Sequence, residues 1–218
     1  MQVYKTIHES GSDEVTIEKS IFIGYAKPIS TEEEAREFID EIKRKHKDAT
    51  HNVWAYTIGQ NMNIQRYSDD GEPQGTAGIP TLEVIKKEDL RDVVVVVTRY
   101  FGGIKLGAGG LVRAYTKGAK IGIEAGKIVE KVPFTQIDIL IDYTLLGKMQ
   151  NSLSNKGFVI KGIEYAENVV ISVYCEDNRL EELKNLIVET TNANSTITEK
   201  CKQYISVKDG KIIENNKS

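Results

Sequence analysis

A chain of 218 residues, 40% hydrophobic and 28% charged, has an ordinary globular composition and is long enough for one large domain or two small ones. A net charge of -3 and a pI near 5.8 exclude a generally basic nucleic-acid-binding protein, so any nucleic-acid face has to be local. No apolar run approaches the roughly 18 residues that cross a bilayer, and the start MQVYKTIHESGSDE lacks a secretory pattern, so a cytoplasmic location without a membrane partner is expected.

Residues 2–8 and 14–27 read as extended, antiparallel segments with Gly11-Ser12-Asp13 as the turn between them. Ser30-Thr31-Glu32-Glu33-Glu34 offers two overlapping capping boxes, Ser30 with Glu33 and Thr31 with Glu34. Ala35, Phe38, Ile39 and Ile42 follow at helical spacing. The basic residues Lys43, Arg44, Lys45 and Lys47 read as the solvated end of that helix, complementing its dipole. Asn52–Ile58 and Met62–Tyr67 form a hairpin pattern about Gly59-Gln60-Asn61.

The loop that follows, Ser68–Gly78, is dense in carboxylates and glycines and contributes nothing obvious to a core. Asp69, Asp70 and Glu72 are candidate metal ligands or, with His51, candidate acid/base groups. The competing reading is a structural loop, because Asp-Asp-Gly is a turn signature and the calcium-loop spacing is absent. Ile79, Leu82 and Ile85 then predict a short helix.

Five consecutive valines from Val93 are too few for a helix and too apolar for a one-sided strand, which predicts a central strand covered on both faces. The strand empties through Thr98-Arg99-Tyr100 into a loop holding Gly102, Gly103, Gly107, Gly109 and Gly110, and then into a helix from Leu111. Glycines let a ligand approach the backbone, and a helix start favours anions. Between Asp92 and Glu124 there is no acid, while Arg99, Lys105, Arg113, Lys117 and Lys120 are all present. Arg99, Lys105, Arg113 and Lys117 are therefore candidate phosphate contacts, with Tyr100 or Phe101 available to stack on a base. The plainer alternative is a tight turn and close helix packing. Neither GxxxxGK[ST] nor a post-strand GxGxxG is present, so no nucleotide cofactor, and no other cofactor, is implied.

In the helix from Leu111, the face carrying Ala114, Tyr115, Gly118, Ala119 and Gly122 is small enough for close packing on a sheet, and Gly126 is the expected stop. Lys131-Val132-Pro133 marks a composition change, which places a domain boundary between residues 1–131 and 132–218. Beyond it the pattern is strand, helix, strand, strand, helix, strand, the βαββαβ order of a ferredoxin-like unit. Cys175 and Cys201 have no CxxC spacing and read as two buried reduced thiols. Asn215–Ser218 reads as a frayed tail.

The run from Val97 to Tyr115, VTRYFGGIKLGAGGLVRAY, resembles the IMPACT/YigZ family, an uncharacterised protein family. Ser68-Asp69-Asp70-Gly71-Glu72-Pro73, Gly75-Thr76-Ala77-Gly78 and Ala49-Thr50-His51 before Trp54-Ala55-Tyr56 carry the same resemblance. It implies an α+β chain of the bacterial type. The first domain would have the fold of the second domain of ribosomal protein S5, a sheet with helices packed on one side. The second would be ferredoxin-like, similar to the last domain of the translocation factor EF-G. Eukaryotic members restrain an amino-acid starvation kinase by competing for its ribosome-bound activator, so translation regulation with RNA or a ribosome-associated protein as partner is the implied role. A phosphate-directed or metal-assisted enzyme, or a protein-interaction module without a small ligand, stands as the alternative.

Overall fold

The computed structural model describes residues 2–213 and is a mixed α+β chain. The tail expected at Asn215–Ser218 lies outside the described residues. Among the described residues two compact units are present: a larger one from Tyr4–Lys131 with residues 206–213, and a smaller one from Val132–Ile205 with residues 2–3.

In the larger unit β1 (Tyr4–Ile7) is followed by β2 (Gly11–Ile17), β3 (Ser20–Pro28), α1 (Glu32–Lys45), β4 (His51–Ile58), β5 (Ile64–Ser68), α2 (Gly78–Lys87), β6 (Val93–Tyr100) and α3 (Gly107–Ala125). Five strands form an antiparallel sheet in the order β2-β3-β6-β4-β5. β1 stays out of it and pairs with the next strand, β7 (Ile128–Ile141), from Tyr4 opposite Lys131 to Ile7 opposite Ile128.

The valine run is central and covered on both faces, as its composition demands. Val93, Val95 and Val97 turn toward Leu82 and Ile85 of α2 and Leu111, Ala114, Tyr115 and Ala119 of α3. Val94 and Val96 turn toward Ala35, Phe38, Ile39 and Ile42 of α1. The two-residue period of a strand thus feeds two separate cores. Helices accordingly occupy both sides of the sheet, not one side as the resemblance implied. The apolar stripe of α1 needs cover of its own, and the second face of β3, β4 and β6 supplies it.

Gly11-Ser12-Asp13 is not a turn. It lies inside β2, opposite Ala26, Tyr25 and Gly24. The reversal falls at Glu18-Lys19, whose φ values of 45° and 62° give the two-residue turn that matches strand twist. At the start of α1, Thr31 accepts from the Glu34 amide while the Glu34 carboxylate reaches back to the Ser30 amide. α3 begins at Gly107, so Gly107, Gly109 and Gly110 belong to its first turn and the loop shrinks to six residues. Gly126 ends the helix, and Gly118 and Gly122 let α3 lie directly on Gly24 of β3.

The smaller unit continues β7 into α4 (Leu146–Asn155), β8 (Val159–Tyr165), β9 (Val169–Glu176), α5 (Leu180–Thr191) and β10 (Thr196–Lys208). Its strand order is β10-β7-β9-β8, the split-βαβ arrangement of a ferredoxin-like fold. Ile137, Ile139, Ile141, Ile171 and Val173 pack with Met149, Leu153, Leu183 and Ile187 into one core. Cys175 belongs to that core, but Cys201 is exposed, because it lies on β10 at the edge of this unit's sheet.

Candidate functional site

Arg99 occupies the same face of β6 as Val93, Val95 and Val97, opposite Phe22 of β3 and His51 of β4. That parity sends its guanidinium inward beneath the start of α3, where it is only 5% exposed. A lone buried guanidinium would be costly, and the acidic loop supplies its partner. Arg99 Nη1 donates to Glu72 Oε1 at 2.6 Å, and the Tyr115 hydroxyl of α3 donates to the same oxygen at 2.7 Å. Burial first, and the Glu72 carboxylate second, push the Tyr115 hydroxyl far above its ordinary pKa, so it remains a donor. The guanidinium also faces the rings of Phe22 and Phe101, at 5.4 and 5.5 Å from their centroids.

Above this pair opens a cleft of about 340 Å³. Thr50, His51, Glu72, Pro73, Arg99, Phe101, Lys105, Leu106, Gly107, Ala108 and Leu111 line it. His51 Nδ1 is 2.8 Å from the Asp70 carbonyl oxygen, which can only accept, so Nδ1 carries a proton. Nε2 is then directed toward Glu72 Oε2, 3.8 Å away. On the other wall α3 starts without any side-chain cap and without an acid in its first turn. Its first amides and the positive end of its dipole are thus left for an anion. α2 differs: its first amides, Ala77 and Gly78, donate to Asp69 Oδ1 at 3.1 and 2.7 Å.

Part of the sequence candidates meet at this cleft. Arg99, Lys105, Gly107, His51 and Glu72 line it, and Gly109, Arg113 and Lys117 are exposed along the first turns of α3, with Gly110 between them. The Arg113 guanidinium lies back over Gly109. Gly103 has φ 86° and is exposed, whereas Gly102 is held against Lys19 so closely that a Cβ would overlap its carbonyl.

Other candidates go elsewhere. Tyr100 is one residue out of phase with Arg99 and faces α1, where its hydroxyl is 2.8 Å from His46 Nδ1. It is therefore not beside the phosphate candidates. Asp69 is occupied by the amides of Gly75, Ala77 and Gly78, and Asp70 by Lys43 Nζ at 2.7 Å and the Asn52 amide at 2.6 Å. Lys43, read as part of a solvated helix end, is thus a loop anchor. The acidic loop is structural at Asp69 and Asp70, and it reaches the core: Glu72 and Thr76 are each 8% exposed and Ala77 is fully buried. Among the described residues no group of three or more His, Cys, Asp or Glu could hold a metal ion.

From its own segment Tyr115 was legible as a core residue, and its bond to Glu72 spans 43 residues.

Residues 18–123 match the Impact N-terminal domain, and residues 139–194 match a domain of unknown function, DUF1949. The IMPACT family member YvyE of Bacillus subtilis is 49% identical over 196 residues, spanning 90% of each chain. The chain belongs to the IMPACT family. Another member, YigZ of Escherichia coli, is 34% identical over 65% of this chain and 74% of its own. Protein IMPACT-A of Xenopus tropicalis is 36% identical over 43% of this chain and 30% of its own. A solved structure described as that of an hypothetical protein has a TM-score of 0.58 at 27% identity, covering 90% of this chain and 97% of that one. Every residue lining the cleft falls within the Impact N-terminal match. Among the described residues no helix is long and apolar enough to cross a membrane.

Proposed function

We propose that this IMPACT-family chain is a translation-linked regulatory protein that binds RNA through the surface around the start of α3. Its setting in translation rests on the family-level link through the eukaryotic members. The observation that carries the RNA reading is the uncapped, acid-free start of α3, opening on a cleft beside exposed Lys105, with Arg113 and Lys117 on the next turns. Phosphates of a single strand would meet those amides and cations, and exposed Phe101 offers a stacking surface. Arg99 fixes Glu72 from the floor of the same cleft. A metal-assisted enzyme is less well supported, because Asp69 and Asp70 already satisfy backbone amides and Lys43.

The test is the affinity of the full chain for a single-stranded RNA oligonucleotide at several salt concentrations. Binding should weaken as salt rises, and Lys105→Ala with Arg113→Ala should lower the slope by about one per contact removed. Absence of binding at low salt rejects the reading. A ribosome-associated protein as the direct partner would instead give a native pulldown that survives RNase.

A further inference from the structure

The two oxygens of Glu72 are treated unequally. Oε1 receives two short hydrogen bonds, from Arg99 and Tyr115. Oε2 receives none among the described residues, although the side chain is only 4% exposed; His51 Nε2 lies 3.8 Å from it, beyond hydrogen-bond reach. Oε2 is not sealed in the core but opens on the cleft, where a donor on an occupant can reach it.

The chemistry of that occupant is constrained from both sides. With the proton of a neutral His51 ring on Nδ1, facing the Asp70 carbonyl, Nε2 presents a lone pair. The cleft floor therefore offers two acceptors about one hydrogen-bond bridge apart, and it calls for two donor hydrogens. An ammonium could supply them, but the rest of the cleft opposes a cation: Arg99, Lys105 and the positive end of α3 all face the same space. What fits both halves is a molecule with a pair of neighbouring hydroxyls at one end and an anion at the other. Between them Pro73, Phe101 and Leu106 provide apolar wall. The volume of about 340 Å³ lies in the range, about 300 to 1,000 Å³, of sites for small organic ligands.

We propose that the cleft seats one ribonucleotide unit, with its 2′,3′-diol donating to Glu72 Oε2 and His51 Nε2, its 5′-phosphate on the first amides of α3 and Lys105, and its base against Phe101. This rests on the RNA reading above and makes it specific: the unit recognised is a ribose with a free diol, as found at the 3′ end of an RNA strand or in a free ribonucleoside 5′-monophosphate.

The experiment compares three 5′-labelled single strands of one sequence by fluorescence anisotropy: RNA with a free 3′ diol, the same RNA ending in a 2′,3′-dideoxynucleotide, and DNA. The dideoxy RNA, which loses both hydrogen bonds, should bind roughly tenfold more weakly than RNA with the diol, and the DNA, which keeps its 3′-hydroxyl and loses one, should fall between them. His51→Ala should bring the ratio of RNA with the diol to dideoxy RNA to within about twofold. The wild-type comparison decides the matter without the variant. Salt-dependent but equal binding of all three strands overturns this inference and leaves the proposed function standing. Failure of every RNA to bind at low salt overturns the proposed function; adenosine 5′-monophosphate binding in that case, lost with its 2′-deoxy analogue, supports the cleft with the free nucleotide as its ligand. Binding of neither RNA nor adenosine 5′-monophosphate overturns both.

Discussion

Glu72 Oε1 lies 2.6 Å from Arg99 Nη1, with side-chain exposures of 4% and 6%. The pair joins the acidic loop to the central strand, and Tyr115 ties the same oxygen to α3. Removing one member leaves the other charge buried without its partner, which typically costs about 3 to 5 kcal/mol. Glu72→Ala should therefore lower unfolding stability by an amount in that range, measured by urea titration at constant m. Glu72→Met combined with Arg99→Met should cost less than either single change, since two apolar side chains leave no stranded charge. Additive losses would show that the pair is not coupled.

An acid placed in the first turn of α3 has opposite effects on stability and on binding. Ala108→Glu supplies the negative charge that the helix start lacks, worth about 0.3 to 1 kcal/mol of stability. The same carboxylate occupies the amides proposed to hold phosphate, so RNA affinity at low salt should fall on the order of tenfold. Thermal unfolding and anisotropy on the same sample read both signs. A variant that is more stable and binds RNA equally well would remove the start of α3 from the interface.

The framework was legible where one local rule decided the outcome. The capping residues before Ala35, the alternation hidden in Val93–Val97 and the stop at Gly126 each follow from the segment itself. The failures have physical reasons. Glu18-Lys19 turns with positive φ without the Gly or Asn that usually announces it, because the β2/β3 register imposes the geometry. Glycines in the first turn of α3 have low helix propensity, so its start was placed too late. Arg99 reads as a surface cation until Glu72, 27 residues earlier, is seen to neutralise it. The same strand period that buries Arg99 carries Tyr100 to the opposite face, and only the sheet's burial pattern reveals which of the two enters the cleft.

Two glycine-to-alanine changes should move stability in opposite directions. A Cβ on Gly24 would overlap the Gly118 carbonyl, so α3 would have to lift from β3. Gly24→Ala should cost about 1 to 3 kcal/mol, the usual price of overpacking a rigid contact. Gly147, in α4, has nothing within 4 Å of an added Cβ. Gly147→Ala should raise stability by about 0.5 to 1 kcal/mol through helix propensity alone. Chemical denaturation of the two variants checks both signs, and destabilisation by Gly147→Ala would contradict the open surroundings of that residue.

His46 closes α1 and is 2.7 Å from the Tyr25 hydroxyl at Nε2 and 2.8 Å from the Tyr100 hydroxyl at Nδ1. A neutral ring serves both, donating through one nitrogen and accepting through the other. Burial, assisted by the Lys45 charge, holds its pKa below the ordinary value of 6.5. As pH falls, the unfolded chain therefore takes up this proton before the folded one does. The stabilising contribution is complete above about 6.5 and is lost as pH falls through that value toward the lower folded pKa. The urea midpoint should accordingly decline between about pH 7 and pH 5. His46→Gln keeps a donor and an acceptor but cannot titrate, so its midpoint should fall less steeply over that interval. Identical pH profiles for the two chains would show that His46 is not the group responsible.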